Sequence, residues 1–211
     1  MVSSMKKEQQ IELGDILVAH WRSLLTCECL PAAGKFRPDA SLKPVLPHLL
    51  ILEIVDGDVK LGLIGPGHDG RLEINPMGHS YLNTIPAERR YATMMRVQAM
   101  LQHKCGAKIE IEEEMANGQL GVTYLTVVPY AADEKHGAYL VTVVPPNTLA
   151  EAGETATSSS FLSRPFKSFE YLDLGFGTPP ALAEKIMGVD APSPDLQWPD
   201  LKTVIDETVP S

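Results

Sequence analysis

Three potential metal ligands lie close together near the N-terminus of the chain. Cys27 and Cys29 are separated by a single residue, and His20 precedes them. A structural zinc site normally has four ligands, and its paired cysteines are usually separated by two or more residues. The spacing therefore favours two thiols without a metal, and we predict no metal site.

A second group with chemical potential is the adjacent pair His68 and Asp69, in a glycine-rich stretch. An imidazole next to a carboxylate has the composition of an acid/base pair. Neighbouring strand residues point to opposite faces, however, so adjacency in sequence does not bring the two side chains together. The pair supports an alternative hypothesis, a small α+β isomerase or hydrolase with a His-Asp pair at a pocket mouth.

Motifs that would strengthen a catalytic interpretation are missing from the sequence. It contains no nucleophile elbow, no H-E-x-x-H zinc motif and no phosphate-binding glycine loop. Glutamates 110 and 112–114 are interspersed with isoleucines, as on a solvated strand face. We therefore predict that the protein is not an enzyme.

Composition and charge narrow the class of protein further. The chain has 211 residues, is 44% apolar and carries a net charge of −9. This charge repels a phosphate backbone, so we predict no nucleic-acid partner. No apolar run approaches the length of a membrane span, so we predict no membrane association. An odd number of cysteines argues against a disulfide framework and favours the reducing cytoplasm.

Strand-like segments flank a single helix between Leu46 and Pro146. The first two are joined at Asp56-Gly57-Asp58, a sequence typical of a tight hairpin turn. The helix covers Ala87 to Lys104, and three segments rich in β-branched or aromatic residues follow it. The predicted order is two strands, a helix and three strands.

This order of elements resembles that of a PAS domain. The sequence motifs are similar to those of a group of stand-alone bacterial PAS proteins. The similar features are HWRSL in an amphipathic helix, the run FRPDASLKPVLPHLLILEI, the strand pair, the long helix and a strand ending in Pro129-Tyr130. The resemblance implies an α+β, PAS-like fold, in which a five-stranded antiparallel sheet has a long helix across one face. It also implies a sensory or adaptor role in bacterial signalling, with a protein partner such as a signalling kinase.

In a PAS fold the long helix and the sheet are the two walls of an internal pocket. Helical periodicity and strand alternation select candidate lining residues, which are Tyr91, Met94, Val97, Leu101, Leu61, Leu63, Val141 and Val143. This set includes no cation, so we expect an uncharged, apolar small molecule as ligand. The alternative is that the methionine-rich helix face belongs to a filled core.

An N-terminal helix from about Gln9 to Leu25 has one apolar face. In PAS proteins such a helix packs on its own sheet or pairs with its copy, and the resemblance leaves both possibilities open. The candidate residues for a homodimer face are Leu13, Ile16, Leu17, Trp21 and Leu24.

The last third of the chain is acidic and rich in proline, and we expect regular structure to stop near Pro146. We divide the chain into an N-terminal helix and linker (residues 1–43), a PAS-like domain (44–146) and an arm (147–211). The arm carries aromatic anchors, namely Phe161, Phe166, Phe169, Phe176, Tyr171 and Trp198. It either covers the protein's own sheet or docks on another chain.

The same sequence argues against the cofactors known from PAS proteins. Light-sensing flavin domains of the superfamily need a cysteine just before the long helix, where this chain reads NPMGHSYLNTIPAE. Haem needs a histidine ligand, and only His68, His79 and His103 lie near the helical region. The segment from Pro44 to Pro146 also contains no Phe or Trp that could stack on a flat ring. We therefore predict no cofactor.

Overall fold

A single antiparallel sheet of six strands organises the described part of this computed structural model, which comprises residues 5–55, 57–68, 77–114, 118–133, 136–148 and 164–180. The strands are β1 (Leu49–Val55), β2 (Asp58–Ile64), β3 (Gly106–Glu114), β4 (Leu120–Tyr130), β5 (Ala138–Val143) and β6 (Phe166–Leu172). Their order across the sheet is β2-β1-β5-β4-β3-β6. The predicted α+β architecture, an antiparallel sheet with a long helix across one face, is confirmed, with one strand more than expected.

The hairpin between β1 and β2 forms where the sequence predicts it. Val55 pairs with Asp58, which leaves a two-residue turn. Gly57 has a φ of 75°, in the region that only glycine enters without steric cost. Asp56 lies outside the described residues.

Two α-helices cover opposite faces of the sheet, α1 (Lys7–Ser23) and α2 (Ala87–Gln102). We call the face under α1 the outer face, marked by Thr126 of β4, and the face under α2 the inner face, marked by Leu125 and Val127. Neither helix combines the length and the apolar composition needed to cross a membrane, and no other helix among the described residues does so.

Helix α1 is fixed to β4 by polar and apolar contacts. The indole of Trp21 is fully buried, and its Nε1 donates a hydrogen bond to the carbonyl oxygen of Pro129 at 2.6 Å. The side-chain oxygen of Gln10 accepts a hydrogen bond from the backbone N–H of Tyr124 at 2.8 Å. Strand β5 pairs only with Thr126 to Tyr130 of β4, so the backbone N–H of Tyr124 has no partner in β5. Gln10 supplies the hydrogen-bond acceptor for this N–H.

These contacts favour the first of the two possibilities for α1, which is packing on its own sheet. Leu13, Leu17 and Trp21 are buried against the protein's own core, and Ile16 and Leu24 pack against the same core. The apolar face of the helix is already covered by the sheet, so it is not available to a second copy of the chain.

The expectation that regular structure ends near Pro146 was wrong, because β6 lies beyond it. Phe169 of β6 pairs with Ile109 of β3, so this part of the arm extends the protein's own sheet. Phe161, Trp198 and the helix expected in the PPALAEKIMG segment lie outside the described residues.

A buried polar cluster fixes the chain just before β6. The guanidinium Nε of Arg164 lies 3.3 Å from a carboxylate oxygen of Glu113, and the side-chain amide of Asn147 donates to the other oxygen at 3.1 Å. Glu113 is 5% exposed, which corrects the prediction of a fully solvated row of glutamates. It follows Ile109 and Ile111 on the inner face because alternate strand residues share a face.

Gly14 lies at a close approach of α1 to the sheet. A methyl group at this position would overlap Oγ1 of Thr126 and lie 2.9 Å from its Cβ. We predict that Gly14→Ala lowers the free energy of unfolding by about 1–3 kcal/mol through overpacking, although alanine is favoured in an isolated helix by about 1 kcal/mol. Urea denaturation measures the change.

Thr126→Ala provides the matched test of this cause. If the clash is responsible, the loss caused by Gly14→Ala is smaller in a Thr126→Ala background than in the wild-type protein. A Gly14→Ala variant that is more stable than wild type would contradict the close contact.

Candidate functional site

A pocket of about 70 Å³ lies between α2 and the inner face of the sheet. Its walls come from α2, from five strands and from the turn before α2. The lining residues are Leu50, Leu52, Tyr81, Thr93, Arg96, Val97, Met100, Ile109, Ile111, Leu125, Val127, Leu140, Thr142, Phe166 and Phe169. Most of these side chains are apolar, which is the usual composition of a small-molecule site.

The periods of the two kinds of element bring these residues together. On α2, Thr93, Val97 and Met100 recur at three- and four-residue spacing and therefore share one face. On each inner strand the lining residues are two apart, as in Leu125 and Val127. The pocket is thus a gap between one helix face and one sheet face.

Strand β6 supplies an aromatic wall. Phe166 and Phe169 are three residues apart and would lie on opposite faces of a regular strand. A register shift in the pairing with β3 places Phe166 opposite Ile111 and Phe169 opposite Ile109, so both rings reach the inner face. The two rings stack with their centroids 6.0 Å apart and their planes at 22°.

The guanidinium of Arg96 lies over these rings. Its central carbon is 4.9 Å from the centroid of Phe169 and 5.4 Å from that of Phe166, within the range of cation–π attraction. Partial burial lowers the pKa of Arg96 by penalising the charged form, while Tyr171 and Tyr81 act in the opposite direction.

Tyr81 forms the pocket wall at the turn Tyr81–Thr84, just before α2. It is 9% exposed, and burial raises its pKa to about 12, against a weaker lowering effect of Arg89 and Arg96. The phenol is therefore neutral at physiological pH, and its hydroxyl can donate a hydrogen bond.

The structure places the predicted helix residues in two groups. Val97 lines the pocket as expected. Met94 and Leu101 are buried in the core but are not among the lining residues, and Tyr91 is half-buried outside the pocket. Met100, one turn beyond Arg96, lines the pocket where the sequence had predicted its neighbour Leu101.

The strand residues expected opposite α2 are corrected by the observed alternation. Leu140 and Thr142 of β5 line the pocket, and Val141 and Val143 therefore belong to the outer face. The sequence does not reveal this choice, because β5 is buried on both faces and lacks a polar side.

Leu61 and Leu63 are separated by an irregularity in the β1–β2 pairing. Leu61 pairs with Leu52 and Leu63 pairs with Ile51, so Gly62 is an extra residue between them. This bulge sends the two leucines to opposite faces. Leu61 is fully buried in the core and Leu63 is 43% exposed, and neither of them is among the residues that line the pocket.

The three potential metal ligands near the N-terminus do not converge on one site. Cys27 and Cys29 are joined by a disulfide with their Cα atoms 5.3 Å apart, which corrects the expectation of two thiols. His20 lies beside Asp39, with Nδ1 and Oδ2 3.7 Å apart. Within the described ranges no three histidine, cysteine or acidic side chains converge on a possible metal site.

The alternative acid/base pair is described only in part. His68 is 1% exposed, in the short turn Pro66–His68, and it does not line the pocket. Asp69 lies outside the described residues.

A second depression, of about 160 Å³, lies on the outer face beside α1. Its walls include charged side chains of both signs, among them Lys7, Lys108, Glu110 and Glu170. This mixed lining is typical of a solvated surface, so we take the smaller apolar pocket as the candidate site.

Sequence reasoning missed Arg96 and the two phenylalanines. Arg96 follows Thr93 by three residues and precedes Met100 by four, so helical spacing alone places it on the pocket face. The segment FKSFEYL is rich in aromatic residues, as strands often are. Both signals were present, and Arg96 also overturns the expectation of a pocket without a cation.

The sequence matches no protein-family model and no curated protein. Among solved structures the chain is similar to a fungal LOV domain photoreceptor, with a TM-score of 0.37 and 16% sequence identity. The similarity covers 63% of this chain and 91% of that one.

This comparison corrects one prediction. The expectation of no cofactor, with flavin and haem both disfavoured, was wrong by this finding, since the similar protein is a photoreceptor of the LOV type.

The raised pKa of Tyr81 predicts a loss of stability at alkaline pH. Its ordinary pKa of 10.0 applies to the unfolded chain and a value of about 12 to the folded one. The folded state therefore holds the proton more tightly, and its advantage is complete below pH 10 and is lost as the pH rises towards 12. A difference of this size corresponds to about 2–3 kcal/mol.

We predict that Tyr81→Phe makes this alkaline decline in unfolding free energy less steep, measured by urea denaturation at a series of pH values. The decline is not removed, because burial also raises the pKa of Tyr130 and raises that of the Cys105 thiol to about 12. Tyr91→Phe, which removes a hydroxyl outside the pocket, is the matched control and is expected to leave the decline in place. An unchanged pH profile in Tyr81→Phe would mean that Tyr81 is not the responsible group.

Proposed function

We propose that this protein is a sensory or adaptor module of the single-PAS type, acting in the cytoplasm in bacterial signal transduction. Its input is a small molecule with an apolar body, held between α2 and the inner face of the sheet. The observation that carries the proposal is the pocket itself, an apolar gap lined jointly by α2 and five strands.

The pocket is small, and this limits how a ligand enters. An engineered cavity of about 150 Å³ binds benzene, whereas this pocket measures about 70 Å³. A ligand therefore has to displace side chains, and Met100 in the wall is suited to this because an unbranched thioether adapts its shape. Ligand entry is accordingly coupled to the packing of α2.

Movement of α2 can be passed on at its C-terminal end. Lys104 follows the helix with a φ of 53°, and its Nζ donates a hydrogen bond to the carbonyl oxygen of Glu28 at 2.6 Å. The same ammonium lies 5.4 Å from the ring centroid of Phe176. These contacts join α2 to two surface segments, and they support our proposal that a protein partner, such as a signalling kinase, reads the state of the pocket.

A second copy of the chain is another proposed partner. Since α1 packs on its own sheet, a homodimer has to use a different surface. Outside α1, exposed apolar side chains among the described residues are Leu63, Met77 and Leu120. Sedimentation of the full chain measures this association.

We predict that Val97→Phe abolishes ligand binding while unfolding stays cooperative. Val97 is 3% exposed and lines the pocket, so the larger ring occupies the space that the ligand needs. The probes are hexanoate and hexanamide, which share one short alkyl chain and differ in the head group. Each is titrated into the protein while the amide signals of α2 are followed by NMR. Native mass spectrometry of the purified protein detects a ligand that is already bound.

Leu120→Phe is the matched control, since this leucine is 61% exposed and does not line the pocket. It is expected to leave binding unchanged. If wild type binds neither probe and Val97→Phe is destabilised by about 1–3 kcal/mol, the gap belongs to a filled core and the small-molecule input is refuted.

A further inference from the structure

Among the described residues that line the pocket, Arg96 is the one with a charged side chain. No acidic side chain shares the wall with it. The lining is otherwise apolar or carries a neutral hydroxyl, as at Tyr81, Thr93 and Thr142. A cation in such surroundings has lost part of its hydration, and an anion is the group that compensates best for this loss.

Other cations near β6 have acidic partners. Arg164 is paired with Glu113, and Lys167 with Glu112. Arg96 forms no ion pair with a carboxylate within the described part of the chain, and its contacts there are with the faces of Phe166 and Phe169. Among the described residues, the charge of Arg96 is thus offset by aromatic rings and not by an acid.

No described residue uses the hydrogen-bonding capacity of Arg96. Cation–π contact uses the flat face of the guanidinium, whereas its N–H donors point outward in the plane. No hydrogen bond from Arg96 to another described residue is present. A planar fork of this kind binds a carboxylate through two parallel hydrogen bonds.

We propose that the ligand of this pocket carries one carboxylate group on its apolar body, and that Arg96 binds this group. The inference rests on the proposed function, because it names the chemical class of the molecule that enters the same pocket. A monoanion matches the single positive charge of Arg96, whereas a phosphate dianion would keep a second charge uncompensated. The apolar body lies against Val97, Met100 and Leu140, and Tyr81 can donate a further hydrogen bond from its neutral hydroxyl.

The test compares hexanoate with hexanamide, which have the same chain and similar head shapes but differ in charge. Wild-type protein is expected to bind hexanoate at least tenfold more tightly than hexanamide, a difference of about 1.4 kcal/mol. Arg96→Met removes the charge and keeps an apolar chain of similar length. It is expected to abolish the preference by weakening hexanoate binding and leaving that of hexanamide within about twofold of wild type.

Two further variants isolate the role of the fork. Arg96→Lys keeps the charge but loses the planar donors, so its preference for hexanoate is expected to fall between those of wild type and Arg96→Met. Arg37→Met removes an exposed arginine on a different surface and is expected to retain the full preference, which controls for net charge. Thermal unfolding of each variant establishes that the comparison is made between folded proteins.

The outcomes separate the two proposals. Equal binding of both probes to wild type, abolished by Val97→Phe, would overturn the role of Arg96 and leave the small-molecule input standing. A preference for hexanoate that persists in Arg96→Met would also overturn it. If wild type binds neither probe, both proposals fall.

Discussion

Helix α1 covers the outer face of the sheet and α2 covers its inner face, so the central strands lie between two apolar layers. Four consecutive residues of β1, from Leu49 to Leu52, are buried, as are β4 residues from Leu125 to Tyr130. Antiparallel sheets often keep one face in water, and the central strands of this one do not. The buried indole of Trp21 and the close contact at Gly14 secure the outer layer, which leaves the inner layer as the place where packing is incomplete.

An incompletely packed inner layer gives the few polar groups there an unusual influence. Electrostatic interactions strengthen as water is excluded, so a partly buried guanidinium has a larger effect on what can enter than it would have at the surface. The aromatic faces of Phe166 and Phe169 hold Arg96 in place without neutralising it. In this way the pocket combines apolar walls, which accept many shapes, with one group that discriminates by charge.

The parts of this fold that were predictable are those with a strong local signal. Asp56-Gly57 identified the first hairpin, and the apolar period of residues 87–104 identified α2 within two residues of its observed end at Gln102. The pocket-lining residues were harder to predict, because the register of strand pairing decides which side chains share a face. Two irregularities, at Gly62 and beside Lys167, change which side chains share a face, and no local pattern reports them. Leu140 and Thr142 are the pocket residues of β5. Thr142 is polar and lines the pocket, contrary to the simple expectation that polar residues point outward.

The position of β6 at the edge of the sheet determines where new specificity can arise. An edge strand is held by one neighbour, and changes in it disturb fewer contacts than changes in β1 or β5, which are paired on both sides. Two rings of the pocket, Phe166 and Phe169, belong to this tolerant strand. Substitutions in β6 can therefore change the shape of this pocket wall with little loss of folding stability. Ligand choice and fold stability are thus set by largely separate residues of one chain.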